Sequence, residues 1–513
     1  MDINPTQTTS AWEVSVEMPR HQPLKQDVRA DICIVGAGIA GMTTAYLLAR
    51  RGKAVVVVDA ERVGAGQTQR TTAHLSNAVD DRYCEIERLH GKEGARIVAE
   101  SHSVAIDEIE RIVRQEAIDC EFERLDGFLF VPPGESVDAL DEELGAAIRA
   151  GLKDVEHVQR APLTSFDTGP CLRFPRQGQF HPLKYLAAMA RAIQREGSSI
   201  FADTRVEGIQ GGSAARIETR NGPIVTADAV VVATNTPIND RVAIHTKQAP
   251  YISYAIGANV PAGVLPKALY WDTGHPYHYI RLAAADDVAM ELLIVGGEDH
   301  KTGQADDSTE RHARLEAWAR QRFPMLGEIK FRWSGQVMEP VDGVAFIGRN
   351  PMDADNVFIA TGDSGMGMTH GTIAGLLLTD LILGRPNPWA TLYDPSRRTV
   401  TAAGQFAKEN LNVAKQYTSW VTGGDVSRVE EIEPGTGAIV RHGLRKIAVY
   451  RDSGGGLHER SAVCPHLGCI VTWNDTEKSW DCPCHGSRFD PRGRLLNGPA
   501  NSDLPVFSSG KDA

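Results

Sequence analysis

Two short cysteine and histidine boxes near the end of the chain carry the clearest chemistry. They read Cys464-Pro-His466-Leu-Gly-Cys469 and Cys482-Pro-Cys484-His485-Gly-Ser487. One supplies a C-x-H pair and the other a C-x-x-H pair, so two thiolates and two imidazoles are available to a metal. Zinc accepts that donor set, and the four donors alone leave the metal open. Cys469 and Cys484, one in each box, are surplus to four-coordination. The other cysteines, Cys33, Cys84, Cys120 and Cys171, are scattered, as small buried hydrophobes usually are. A tight cysteine group in an otherwise cysteine-poor chain points to metal rather than to a disulfide scaffold.

At the other end, residues 30–60 read as an apolar strand, a glycine turn, an amphipathic helix and a second apolar strand ending in an acid. In this G-x-G-x-x-G turn, Gly36 permits the tight bend and Gly38 lets a pyrophosphate approach the backbone. Gly41 lets the helix pack close to the strand. Asp59 is placed to accept hydrogen bonds from a ribose hydroxyl and disfavours a 2′-phosphorylated cofactor.

Which dinucleotide binds is decided further along. The segment GAGQTQRTTAHLSNA (64–78) follows the second strand at once. A later strand, ADAVVVATNTP (227–237), ends in small polar residues suited to a second nucleotide contact. In the segment 356–384 a strand runs into Gly362, Gly365 and Gly367 and then a helix, whose N-terminus can stabilise negative charge on a reduced flavin. No second glycine fingerprint follows, so no site for NAD(P)H is evident.

These three segments, in this order, resemble the D-amino-acid oxidase superfamily of FAD enzymes, the group of glycine and sarcosine oxidases, over about residues 28–415. The resemblance implies that Gly36, Gly38, Gly41 and Asp59 hold the ADP half of FAD, with Thr71 and Thr72 near the pyrophosphate. It implies that Val206 touches the adenine through its backbone. Gly362, Asp363, Gly365, Met366, Gly367 and Met368 would line the flavin ring, and the run 333–349 would lead towards it. His74, at an expected helix start, stands near the flavin in that family. A lining role and a covalent bond to the flavin are both open to it.

The boxes CPHLGC and CPCHGSRFD, with Gly498-Pro499-Ala500 after them, resemble the Rieske family. The resemblance implies a [2Fe-2S] cluster with Cys464 and Cys482 on one iron and His466 and His485 on the other. It implies a disulfide between Cys469 and Cys484 that clamps the two loops, a Ser487 hydrogen bond to a cluster sulfide, and a covering loop at 498–500. High-potential members carry tyrosine where this chain has Phe489, which removes a hydrogen bond to a ligand sulfur.

The expected fold is an α/β, Rossmann-like FAD domain (28–84, 181–240 and 336–418) interleaved with an α+β substrate domain (85–180 and 241–335). A small all-β Rieske domain (426–509) follows. Strands are expected at 251–260, 277–285 and 291–297, over the flavin face. Arg281 could fork a substrate carboxylate, against the alternative of a strand arginine on a solvated face. Tyr254, Tyr279 and His278 offer polar tips within apolar strands, and Tyr254 is carried with Arg281 as a catalytic candidate.

The chain has 513 residues, 42% of them hydrophobic and 23% charged, enough for about three structural units. Its net charge of -12 and lack of any basic run argue against nucleic acid as a partner. Asp380 interrupts the longest apolar run, so no membrane span is expected, and the expected location is cytoplasmic. Together these readings give an FAD-dependent oxidoreductase acting on a small amine or amino acid. Its electrons would pass from flavin to cluster and on to a one-electron acceptor protein. A sensor or electron-transfer module is the alternative, as is a reductase fed by a donor protein. A Rieske oxygenase would need a mononuclear iron domain after the cluster, and only 28 residues follow His485.

Overall fold

Four successive valines, Val55–Val58, can all be buried only in a strand covered on both faces, and all four are buried. In the computed structural model, which describes residues 8–239 and 242–507, this strand pairs in parallel with Val28–Val35 and Ser199–Phe201. The first sheet continues from Val28–Val35 to Ile224–Val232, then Val357–Thr361, both parallel, and ends in the antiparallel edge strand Phe346–Arg349. Helices Ile39–Ala49 and Gly367–Ile382 pack against each other closely. A Cβ at Gly371 or Gly375 would lie 2.6 Å from the Ile39 side chain or 2.4 Å from the Thr43 side chain.

The second sheet has nine strands and is largely antiparallel, with one parallel pair between Leu269–Asp272 and Glu123–Phe130. Its strands Gln248–Pro261 and Met290–Lys301 contain the expected 251–260 and 291–297, and His278–Ala284 falls one residue short of the expected 277–285 at each end. Side chains alternate across this sheet. One face packs on helix Ser308–Arg322 through Ile252, Tyr254, Ile256, Leu315 and Ala319. The other face looks towards the glycine turns of the first sheet. His74 lies in a short strand, His74–Leu75, paired with Cys171–Gln179 rather than at a helix start.

The C-terminal part is all β, a three-stranded and a four-stranded sheet around Trp480 and Phe489. Trp473 and Trp480 face each other in the expected hairpin. Helix Ala403–Gln416 leads to it with Glu409 as its one buried residue. Lys301 pairs with that glutamate. The connecting segment is tied to the first cysteine box, with Tyr417 donating to the Leu467 carbonyl at 2.7 Å and Trp420 to that of Gly468 at 3.0 Å. The expected domain limits at 240, 241 and 509 lie outside the described residues. Among the described residues no helix is long and apolar enough to cross a membrane.

Candidate active site and metal centre

A cavity of about 270 Å³ opens at the carboxyl ends of the parallel strands, where such sheets bind nucleotides. Gly36 takes φ +108°, and a Cβ there would sit 2.3 Å from the Ala233 carbonyl oxygen. Gly41 is tighter still, since a Cβ on it would stand 1.9 Å from the Gly36 carbonyl oxygen. The Asp59 carboxylate accepts from the backbone N–H groups of Ala37 at 2.6 Å and Glu61 at 2.8 Å. A carboxylate has further lone pairs, and Asp59 still lines the cavity. Burial pushes its carboxyl upward.

Gly38, Val206, Thr71, Gly362, Asp363, Gly365, Gly367 and Met368 line the same cavity. Thr72 does not; it faces a second cavity, where its hydroxyl meets His74 Nδ1 at 3.1 Å. The threonine at the first helix N-terminus is Thr68, which accepts from the Ile39 N–H at 3.0 Å. Thr68 went unnoticed in sequence because a polar residue in a glycine-rich loop has no distinguishing pattern.

The second cavity, about 200 Å³, shares Arg70, Thr71, Gly335, Gly365 and Met368 with the first and adds Met366. Trp271, Tyr277 and Tyr279 line it together with Asp80. Asp80 is open to the cavity but enclosed by protein. Burial, then the charges of Asp81, Asp299 and Asp363, push its carboxyl up to about 8. His74 also faces this cavity, its Nε2 3.3 Å from the Ile280 carbonyl oxygen. Burial, then the Arg281 charge, lowers its imidazole to about 3.

Two candidates lie elsewhere. The guanidinium of Arg281 is buried and donates to the carbonyls of Ala73 at 2.7 Å, Thr72 at 3.1 Å and Phe180 at 3.3 Å. It holds the loop beneath the cavity through Nη1 and is not among the residues that line the cavity. Tyr254 projects from the opposite face of its strand, where its hydroxyl meets His300 Nε2 at 2.9 Å. Its neighbours Ser253 and Ala255 are the ones that line the cavity.

In the C-terminal part the two boxes come together. Cys469 and Cys484 form a disulfide, while Cys464 and Cys482 stay reduced and buried. Cys482 Sγ lies within 4.8 Å of both disulfide sulfurs. Those two sulfurs are not thiolates, so they are not metal donors. The Cys464 thiol is held below its usual range first by its hydrogen bond with Cys482, and Ser487 adds to that lowering. The rings of His466 and His485 stand 5.0 Å apart. Burial lowers His485 to about 3, leaving it in the neutral form a metal binds. Its buried Nδ1 has no hydrogen-bond partner among the described residues. Two adjacent thiols and two neighbouring imidazoles, one with an orphaned nitrogen, fit a [2Fe-2S] cluster.

The two sites abut. The Gln336 amide, in the wall of the first cavity, donates to the Gly486 carbonyl in the second box at 2.8 Å. His245 is buried, with its ring 4.8 Å from that of His466 and 6.0 Å from that of His485. Arg70 forms a buried ion pair with Glu477 at 3.4 Å. None of these three was singled out in the sequence.

The FAD dependent oxidoreductase model called DAO matches residues 31–381, and the Rieske [2Fe-2S] domain model matches residues 422–508. The chain belongs to the DAO family of FAD-dependent oxidoreductases. It is a DAO enzyme with a Rieske domain behind it, and it binds FAD and a [2Fe-2S] cluster. Bacillus subtilis YhfW, described as a Rieske 2Fe-2S iron-sulfur protein, is 32% identical over 495 residues, 96% of each chain. Gamma-glutamylputrescine oxidoreductase of Escherichia coli is 28% identical, covering 70% of this chain and 85% of its own. Glycine oxidase from Geobacillus kaustophilus superposes at a TM-score of 0.59 with 18% identity, over 72% of this chain and 99% of that one. At that identity the likeness establishes the DAO fold alone.

Proposed function

We propose that this DAO enzyme oxidises a C–N bond of a small amine, and that the electrons leave through the Rieske domain to an external one-electron acceptor protein. FAD, when bound, supplies two-electron chemistry and the cluster one-electron chemistry. The observation that carries the electron path is the hydrogen bond from Gln336 to Gly486, because it joins the wall of the flavin cavity directly to a cluster loop.

The chain's own residues supply binding and orientation. Asp80 has a carboxylate facing the second cavity without an ion-pair partner among the described residues, beside the rings of Trp271, Tyr277 and Tyr279. Raised to about 8 on its own, this carboxyl gives up its proton to pair with a cation, and with its aromatic walls it suits a cationic amine, whereas the withdrawal of Arg281 removes the expected clamp for an amino-acid carboxylate. The name of the Escherichia coli relative, which mentions a putrescine derivative, agrees with that preference. A cytoplasmic location belongs to the same reading, supported by the unpaired thiols of Cys33, Cys84, Cys120 and Cys171.

The test is anaerobic. The holoenzyme is mixed with 1,4-diaminobutane, glycine or L-proline, while flavin absorbance and the electron paramagnetic resonance signal of the reduced cluster are followed. An amine should bleach the flavin first and raise the cluster signal afterwards. Bleaching without a cluster signal would refute the path, and bleaching by the amino acids alone would refute the amine.

A further inference from the structure

We infer that the Rieske domain supplies one wall of the FAD site, through a segment that also covers the cluster loops, so that the two cofactors share one piece of chain. The inference rests on FAD occupying the first cavity. Leu496, Asn497, Gly498, Ala500 and Asn501 line that cavity on the side facing Asp59 and Val206.

The segment is fastened to the flavoprotein. Arg205 donates to the Leu495 carbonyl at 2.9 Å, the Asn501 amide to the Glu207 carbonyl at 3.4 Å, and Arg220 pairs with Asp503 at 3.3 Å. Gly498 lies close against Ile238, with 3.1 Å from a Cβ position to that side chain. These anchors flank Val206, the residue expected beside the adenine.

The same segment is fastened to the cluster loops. The Ala500 N–H donates to Ser487 Oγ at 3.0 Å. Ala500 and Leu495 are buried in one apolar group with Cys464, Cys482 and the disulfide cysteines. Leu495 N–H and the Asp503 carboxylate, 2.9 Å apart, tie the two ends of the segment together. Along the strand Leu495–Asn497 successive side chains point to opposite faces. Leu495 is buried in the Rieske core and also borders the cavity, while Leu496 lines the cavity without joining that core.

A ligand that contacts the segment only in this position favours the position, and by linkage the position favours the ligand. FAD binding should therefore hold the cover over the cluster, and an intact cover should tighten FAD.

The first arm of the test replaces Leu496→Ala and Asn501→Ala together in the full chain, with FAD affinity read by flavin fluorescence. The FAD dissociation constant should rise at least about tenfold, with iron content and g-values unchanged; an unchanged constant overturns the inference. The second arm needs no substitution. FAD is removed from the wild-type chain by dialysis against potassium bromide, and iron loss to bathophenanthroline is timed. Iron should leave several-fold faster without FAD, and added FAD should restore the slow rate; equal rates overturn the coupling. If the double variant loses its cluster, the second arm decides. Gly36→Val separates the underlying placement: should that variant keep FAD, the cofactor is not in the first cavity and the reading itself fails.

Discussion

Asp80 is the residue whose titration reports most directly on the second cavity. Its carboxyl is pushed to about 8 from the ordinary 3.8 by burial and by Asp81, Asp299 and Asp363. Asp299 and Asp363 are themselves raised to about 6, chiefly by burial. A folded-state pKa above the unfolded value means that the folded chain holds a proton the unfolded chain releases. That contribution to stability is full below about pH 4 and is lost as pH rises through about 8. Thermal melts should show the melting temperature falling across that window, and Asp80→Asn should flatten the fall; an equal slope in the variant removes Asp80 from the account. Phe489 offers a second handle. It is fully buried and pairs with Trp480 across the hairpin. A hydroxyl added by Phe489→Tyr should raise the cluster potential by roughly tens of millivolts through a new hydrogen bond to sulfur. A redox titration followed by electron paramagnetic resonance measures it, and an unmoved potential would count against the hydrogen-bond account. Both boxes could be read from sequence because their donors lie within a few residues of each other. Asp80 could not, since a lone acid in a loop does not show whether a cavity lies beside it.

At the scale of elements, the strand, turn and helix around residues 357–382 position the floor between the two cavities. Gly365 takes φ +70°, and a Cβ there would meet the Asp80 carboxylate at 2.0 Å. Gly365→Ala forces a left-handed conformation on a residue with a Cβ, at a cost of about 1–2 kcal/mol, and crowds Asp80 as well. FAD content of the purified variant should fall, read from the ratio of flavin to protein absorbance. Full flavin occupancy would show that the turn absorbs the methyl group. The parallel strands were legible because runs such as Val55–Val58 are apolar throughout. The long antiparallel strands were legible too, but alternation does not say which of two faces meets a cavity. Tyr254 lies on the helix-covered face for that reason, with Ser253 and Ala255 on the other. The partners of Arg281 could not be read from its aromatic surroundings, because the carbonyls that hold it belong to residues 72, 73 and 180, far away in sequence.

The whole molecule is held together by contacts that leave no local signature. Glu477, in the Rieske domain, pairs with Arg70 of the flavoprotein and lies 4.0 Å from Arg488, and all three are buried. It also accepts from the hydroxyls of Thr8 and Ser334. Glu477→Ala would leave the buried Arg70 guanidinium without its carboxylate, a loss of about 3–5 kcal/mol, while Arg488 keeps Asp481 at 3.0 Å. Calorimetry should show a lower melting temperature, with flavin and cluster released in separate steps where wild type releases them together; a variant that melts like wild type would mean the network is energetically neutral. Elsewhere at this boundary Gly303 of the flavoprotein takes φ +68°, with a Cβ position only 3.0 Å from the Asp481 carbonyl oxygen and the Pro483 nitrogen. Its own carbonyl accepts from Thr472. This has a consequence for inheritance. A descendant gene that lost its Rieske end would relieve the crowding at position 303, and any side chain acquired there would then obstruct a later refusion. Separation would be harder to reverse than to undergo, since refusion would require the backbone around Asp481 and Pro483 to give way to the new side chain.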